Sequence, residues 1–110
     1  MSDKIIWGCV NGDGSIHSGA GFSIDSETNG VYTVTYREPF TEPPAVVLTQ
    51  NYRDWDQFGY NGGDTRDNSV LIAADVFKFK AKMGGSDGKG EERNFTFIAI
   101  GPADDGGERR

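Results

Sequence analysis

Val31-Tyr32-Thr33-Val34-Thr35-Tyr36, Arg37-Glu38-Pro39-Phe40-Thr41-Glu42-Pro43-Pro44 and Ala45-Val46-Val47-Leu48-Thr49-Gln50-Asn51 follow one another directly, and this stretch decides the fold class. Successive side chains of an extended chain point to opposite faces, so Tyr32, Val34 and Tyr36 share one face and Thr33 and Thr35 the other. The middle segment holds three prolines, which remove ladder donors. It cannot be a central strand and reads as a stiff crossover, with Phe40 anchored in the core. The last segment is a short apolar strand. Strand, irregular crossover and strand, with no helical spacing, is the signature of an antiparallel β protein.

The same reading extends in both directions. Ile5 to Val10 predicts a first strand, followed by the turn Asn11-Gly12-Asp13-Gly14. Ile16 to Ile24 is extended but interrupted by Gly19 and Gly21, which predicts a bulge or bend. Asp25 to Gly30 is a turn. Beyond a long loop, Ser69 to Ala74 is apolar again. Phe77, Phe79, Ala81 and Met83 then alternate with Lys78, Lys80 and Lys82, giving one buried and one basic face. Gly84 to Arg93 reads as a flexible turn before a closing strand, Asn94 to Gly101. The expectation is an all-β fold: one small antiparallel β-sandwich of six or seven strands over residues 1–101, with a disordered polar tail at 102–110.

Composition fits that class. Glycine, at 16 residues, suits turns and bulges, and seven Phe, four Tyr and two Trp supply buriable surface. The net charge of −6, with acidic residues scattered, disfavours nucleic acid or an anionic membrane as partner. No apolar run reaches the ~20 residues of a membrane helix, and Met1-Ser2-Asp3-Lys4 does not open a signal peptide, so a soluble protein is expected. Localisation is otherwise open. The one cysteine, Cys9, excludes an intrachain disulfide and reads as a small buried hydrophobe.

The closing strand has a further implication. Phe95, Phe97 and Ala99 lie on one face while Ile98 and Ile100 lie on the other, and Ile5 and Trp7 oppose Ile6 and Val10 in the first strand. A sandwich sheet has one face on its own core. Apolar residues on the second face predict cover from a neighbouring subunit, hence a homo-oligomer.

The loop from Tyr52 to Asn68 is the most distinctive segment, longer than structureless loops usually run. Saccharide recognition needs an aromatic face for the ring's C–H surface and planar polar groups for its hydroxyls. Tyr52, Trp55 and Tyr60 offer the first; Arg53, Asp54, Asp56 and Asn61 the second. The competing reading folds Trp55, Phe58 and Tyr60 inward as the loop's own core or packs them on a neighbour. Asp54, Asp56, Asp64 and Asp67 also suggest calcium, but the spacing lacks the glycine and bidentate glutamate of the helix–loop–helix calcium site, so a solvated loop and no metal or cofactor is expected. His17 beside Ser18 does not make a hydrolase, because adjacent strand residues point to opposite faces; no catalytic residue is assigned and no enzyme expected. His17 reads as a surface or interface residue, and the lysine comb as a solvated or edge-protecting face.

Gly14-Ser15-Ile16, Gly19-Ala20-Gly21-Phe22-Ser23-Ile24, Gly30 to Tyr36, Pro39-Phe40, Pro43 to Thr49 and Phe95 to Gly101 resemble the C-terminal module of phage tail-fibre tips and collagen-like proteins. The second half is similar to the H-type lectin domain, with a Pro-Pro crossover, an apolar strand, a long loop, a Phe-Lys-Ala strand and a final apolar strand. The resemblance covers residues 5–101. It implies a sandwich that forms trimers, sometimes stacked as hexamers, with sugar bound between subunits. It also implies an aromatic–histidine pair after Phe79-Lys80-Ala81 and an arginine heading the strand after the loop. Here Lys82-Met83-Gly84-Gly85 and Asn68-Ser69-Val70 occupy those places, so the N-acetylgalactosamine site does not carry over. Two functions follow as expectations: a multivalent lectin binding a saccharide or glycoconjugate, or the structural tip of a phage tail or bacterial surface fibre.

Overall fold

The computed structural model describes residues 2–104. It is a β-sandwich of two antiparallel four-stranded sheets without helix. The strands are β1 (Ser2–Val10), β2 (Ile16–Gly19), β3 (Phe22–Ser26), β4 (Val31–Tyr36), β5 (Ala45–Asn51), β6 (Asn68–Ala74), β7 (Lys78–Gly84) and β8 (Asn94–Ala103). One sheet runs β2-β1-β8-β5 and the other β3-β4-β7-β6.

There are thus eight strands rather than six or seven, and the difference lies at Gly19-Ala20-Gly21. The expected bend is a corner. Gly19 and Gly21 have φ of +102° and +96°, a region costly for residues with a Cβ, and the chain passes there from the first sheet to the second. The segment Ile16 to Ile24 is therefore two strands in different sheets. The first and last strands are longer than expected because they pair over nine residues, from Ser2 opposite Ala103 to Val10 opposite Phe95. The closing strand so continues past residue 101 to Ala103; the remainder of the expected tail, 105–110, lies outside the described residues.

The alternation read from the sequence sets the core. Tyr32, Val34 and Tyr36 of β4, Phe79, Ala81 and Met83 of β7, and Phe95, Phe97 and Ala99 of β8 are all buried. Phe40, at the crossover, is buried with them, and its ring meets Tyr36 edge-on at 4.9 Å. Phe77 is a correction: it is 58% exposed, because Asp75 turns the chain ahead of β7 by accepting from the Phe77 and Lys78 N–H groups, and Val76 packs on the core instead. At Gly8 the backbone passes so close beneath the Phe22 and Phe97 rings that a Cβ would collide with both. Phe22 and Phe97 meet edge-to-face at 4.9 Å, a favourable aromatic arrangement.

Two core tyrosines differ in a testable way. The Tyr32 hydroxyl donates to the Gly12 carbonyl at 2.6 Å, tying β4 to the β1–β2 turn. The Tyr36 hydroxyl is buried with no partner, and burial pushes its pKa well above the ordinary phenol value. Tyr32→Phe is expected to cost about 1 kcal/mol, whereas Tyr36→Phe is neutral or stabilises by up to about 1 kcal/mol, since it removes an unsatisfied polar group. Urea denaturation midpoints of the two variants check this, and equal losses would contradict it.

The outer faces of the two sheets are unlike. On the β3-β4-β7-β6 sheet, register places Asp25 opposite Thr33, Thr33 opposite Lys80, and Thr35 opposite Lys78. This face is largely polar, with Val31 and the half-exposed Val70 flanking Lys82 at the β6 edge, and since β7 is an inner strand its lysines form a comb rather than edge protection. On the other sheet, Ala45–Ile100–Ile5 and Val47–Ile98–Trp7 form two cross-strand rows, all facing away from the core. Ile5, Trp7, Val47, Ile98 and Ile100 are each at least 40% exposed. Cys9 lies in the next row, beside Thr96, half-buried on this outer face rather than in the core.

Candidate functional site

The loop between β5 and β6 is fastened at both ends, and the fastenings define the site. At its root, the Trp55 indole N–H donates to Asn11 Oδ1 at 2.8 Å, and the ring stacks on His17 at 4.7 Å and 14°. Asn94 completes this anchor: its Oδ1 accepts from Gly12 N–H at 2.8 Å and its Nδ2 donates to the Arg53 carbonyl at 3.1 Å. At the far end, Arg93 Nη1 donates to Asp67 Oδ2 at 2.8 Å and to Gln50 Oε1 at 2.9 Å. The Arg93–Asp67 pair is largely shielded from water, with side-chain exposures of 18% and 12%.

Between these points the loop is built from short turns. Gln57 N–H donates to the Asp54 carbonyl and Tyr60 N–H to the Gln57 carbonyl. Asp64 takes a two-pronged contact from Arg66, through Nε at 3.0 Å and Nη2 at 2.8 Å, and also accepts the Arg66 backbone N–H. The Arg66 hydrogen bonds hold the Asp64 carboxyl well below the ordinary aspartate range.

A recess of about 320 Å³ lies between this loop and the β7–β8 connection. Tyr52 and Tyr60 form one wall, with ring centroids 5.9 Å apart and planes at 53°. Each ring carries a guanidinium on one side: Arg93 lies 4.6 Å from the Tyr52 centroid and Arg53 5.1 Å from that of Tyr60. Asp87 and Glu91, from the β7–β8 connection, share the lining with Asp64, Asp67 and Arg93. The lining thus combines two aromatic rings with several carboxylates and is pre-organised by an ion pair.

No family model, curated protein or solved structure matches this chain. The site is therefore read from its own residues.

Of the residues expected to bind ligand, Tyr52 and Tyr60 line the recess and Arg53 is brought to Tyr60. Trp55 is placed elsewhere, as the loop's root anchor against His17 and Asn11. Asp54, Asp56 and Asn61 are exposed and do not line the recess. Within the chain, Trp55 is partly folded inward, whereas Phe58 is 92% exposed and does not join a core of the loop's own. Among the described residues, no group of three or more His, Cys, Asp or Glu side chains is placed to hold a metal ion. Asp64 and Asp67 are instead engaged by Arg66 and Arg93.

Sequence reasoning missed Arg93, Gln50, Asp87 and Glu91. Three of these sit in or beside the segment read as a flexible turn, Gly84 to Arg93. A turn carrying Asp, two Glu and Arg between strands was a signal of a polar rim. Which loop it faces is set by sheet topology, which places β6 next to β7.

Proposed function

We propose that this domain is a non-catalytic carbohydrate-binding module that acts as a homo-oligomer, and that the recess beneath Tyr52 and Tyr60 is its saccharide site. The observation that carries this reading is that two half-exposed tyrosine rings line one recess together with the carboxylates of Asp87 and Glu91. Tyrosine faces suit the C–H surface of a sugar ring, and carboxylates accept from vicinal hydroxyls. Such a shallow site binds weakly alone, and several copies on one particle raise the avidity. The apolar rows on the outer face of β1, β8 and β5 support association between copies, and the H-type-lectin-like order of elements favours a trimer, which can stack into hexamers. The partner is a saccharide or glycoconjugate; neither nucleic acid nor membrane insertion belongs to this reading.

The second reading, a structural tip domain of a phage tail or bacterial surface fibre, is favoured by the same apolar outer face, for which oligomerisation alone is function enough. A glycan array probed with the wild type, Tyr52→Ala and Trp55→Ala separates the two. Saccharide-specific binding is expected for the wild type. Loss of the ring contact should weaken Tyr52→Ala about tenfold, as ~1.4 kcal/mol does. Trp55→Ala should retain the recess but lose about 1–2 kcal/mol of stability through its hydrogen bond and stack. A blank array with a folded, oligomeric wild type would move the assignment to the fibre-tip reading.

A further inference from the structure

Three Asn-Gly steps occur in the chain, at Asn11-Gly12, Asn29-Gly30 and Asn61-Gly62. Asn-Gly is the dipeptide most open to spontaneous deamidation, because glycine leaves its own nitrogen unhindered. The reaction needs that nitrogen, after losing its proton to solvent base, to reach the asparagine side-chain carbonyl carbon. A new C–N bond closes a cyclic imide while the bond to Nδ2 breaks and ammonia leaves. Water then opens the imide at either carbonyl, giving aspartate or isoaspartate. Both the asparagine amide and the following main chain must therefore be free to turn.

The three steps are held very differently. At Asn11, both ends of the side-chain amide are engaged, Nδ2 donating to Ser15 Oγ at 2.9 Å and Oδ1 accepting from Trp55 at 2.8 Å. The attacking nitrogen is engaged too, as Gly12 N–H donates to Asn94 Oδ1. At Asn29 the turn is closed by Glu27 N–H donating to the Val31 carbonyl at 2.8 Å, and Met83 N–H donates to the Gly30 carbonyl at 2.9 Å. Gly30 is also wedged against the carbonyls of Met83 and Glu91. Asn61 and Gly62 are both exposed, lie outside any strand, and take part in no backbone or side-chain hydrogen bond among the described residues. The anchors at Trp55 and Asp67 lie on either side of this tip and leave it unheld.

We propose that Asn61 is a site of spontaneous deamidation and isoaspartate formation, and that the fold protects Asn11 and Asn29 from the same reaction. The product places a new carboxylate next to Tyr60, and isoaspartate lengthens the main chain there by one methylene. Gly62 lies against the tip of the Tyr60 side chain, which can swing aside, whereas Gly30 meets fixed backbone, so the modified step adjoins the aromatic wall without being held by it. That the change alters saccharide binding rests on the reading above; the modification itself does not.

The full chain is incubated at neutral to mildly alkaline pH and peptides are mapped by mass, with heavy-oxygen water marking the hydrolysed imide. Reaction at Asn11 or Asn29 requires local opening, and each 1.4 kcal/mol of opening free energy slows conversion about tenfold. The gain of about 1 Da is therefore expected at Asn61 at least about tenfold faster than at either other site. In urea the three rates should fall within about threefold of one another, because the protecting contacts are gone. Asn61→Gln should remove the loop signal while leaving the thermal midpoint unchanged. Conversion of Asn11 or Asn29 as fast as Asn61 in the folded protein overturns the proposal. So does an ordering that persists unchanged in urea, since local sequence rather than the fold would then set it.

Discussion

Phe97→Ala is expected to destabilise the domain by roughly 3–5 kcal/mol, the range for removing a large aromatic from a packed interior. The side chain is fully buried in β8 and meets Phe22 at 4.9 Å and Phe79 at 5.0 Å, both edge-on. It therefore bridges the two sheets, since Phe22 and Phe79 belong to the sheet opposite β8. The cavity left behind cannot close readily, because Gly8 is the backbone beneath it and has no side chain to move in. Small domains have only about 5–15 kcal/mol of net stability, so this one change is enough to leave the variant close to unfolding at physiological temperature. Urea denaturation of Phe97→Ala beside Phe97→Leu checks it, and the leucine variant should recover much of the loss. Phe58→Ala is the contrast: with that ring 92% exposed, the change should stay within about 0.5 kcal/mol of wild type. A loss at Phe97 no larger than at Phe58 would contradict the assigned core.

Arg93→Ala is the second large effect expected, about 2–4 kcal/mol, somewhat below a fully buried pair because both partners keep some contact with water. Removing the guanidinium strands the Asp67 carboxylate and the Gln50 Oε1 together, since one nitrogen, Nη1, serves both. It also uncovers the face of Tyr52. The asymmetry between partners is the useful part. Asp67→Asn removes the charge but keeps an acceptor for Nη1, so it should cost clearly less than Arg93→Ala. Arg93→Lys keeps the charge on a single nitrogen and loses the planar guanidinium over Tyr52, so it should fall between the two. Denaturation midpoints rank the three, and tyrosine fluorescence of the folded variants reports the loss of the guanidinium from Tyr52. Equal costs for Arg93→Ala and Asp67→Asn would mean that the pair does not organise the recess.

The acid response has a definite sign. The Asp64 carboxyl is depressed by its Arg66 hydrogen bonds, and Asp13 by those from the Ser15 side chain and backbone. A depressed carboxylate stabilises the folded state above its unfolded pKa, and that contribution is lost as pH falls through the folded value. Loosening of the turn at Asp13 and the loop at Asp64 therefore belongs to strongly acidic pH. Asp13 is exposed and Asp64 part-exposed at the surface of its loop, so the effect is local order more than global stability.

Where the amino-acid pattern alone was sufficient, the interaction was local in the chain. Alternation placed Tyr32, Val34 and Tyr36 on one face and Phe95, Phe97 and Ala99 on another, because a strand has a side-chain period of two whatever it packs against. Prolines excluded 37–44 from the sheets, and Ile98 and Ile100 on the far face of β8 announced an apolar exterior. The tertiary structure decided the rest, and each case involves residues far apart in sequence. Gly19 and Gly21 allow a corner as readily as a bulge; only the pairing of β2 with β1 and β3 with β4 makes it a corner. Trp55 looked like a ligand contact beside Tyr52 and Tyr60, and it is an anchor because Asn11, 44 positions away, supplies its acceptor. Arg93 was unremarked at the end of a turn until the antiparallel pairing of β5 with β8 carried it beside Gln50, and so to Asp67 and Tyr52. Periodicity reports which way a side chain points, but a partner across the sandwich is chosen by strand order and register, which no single segment encodes.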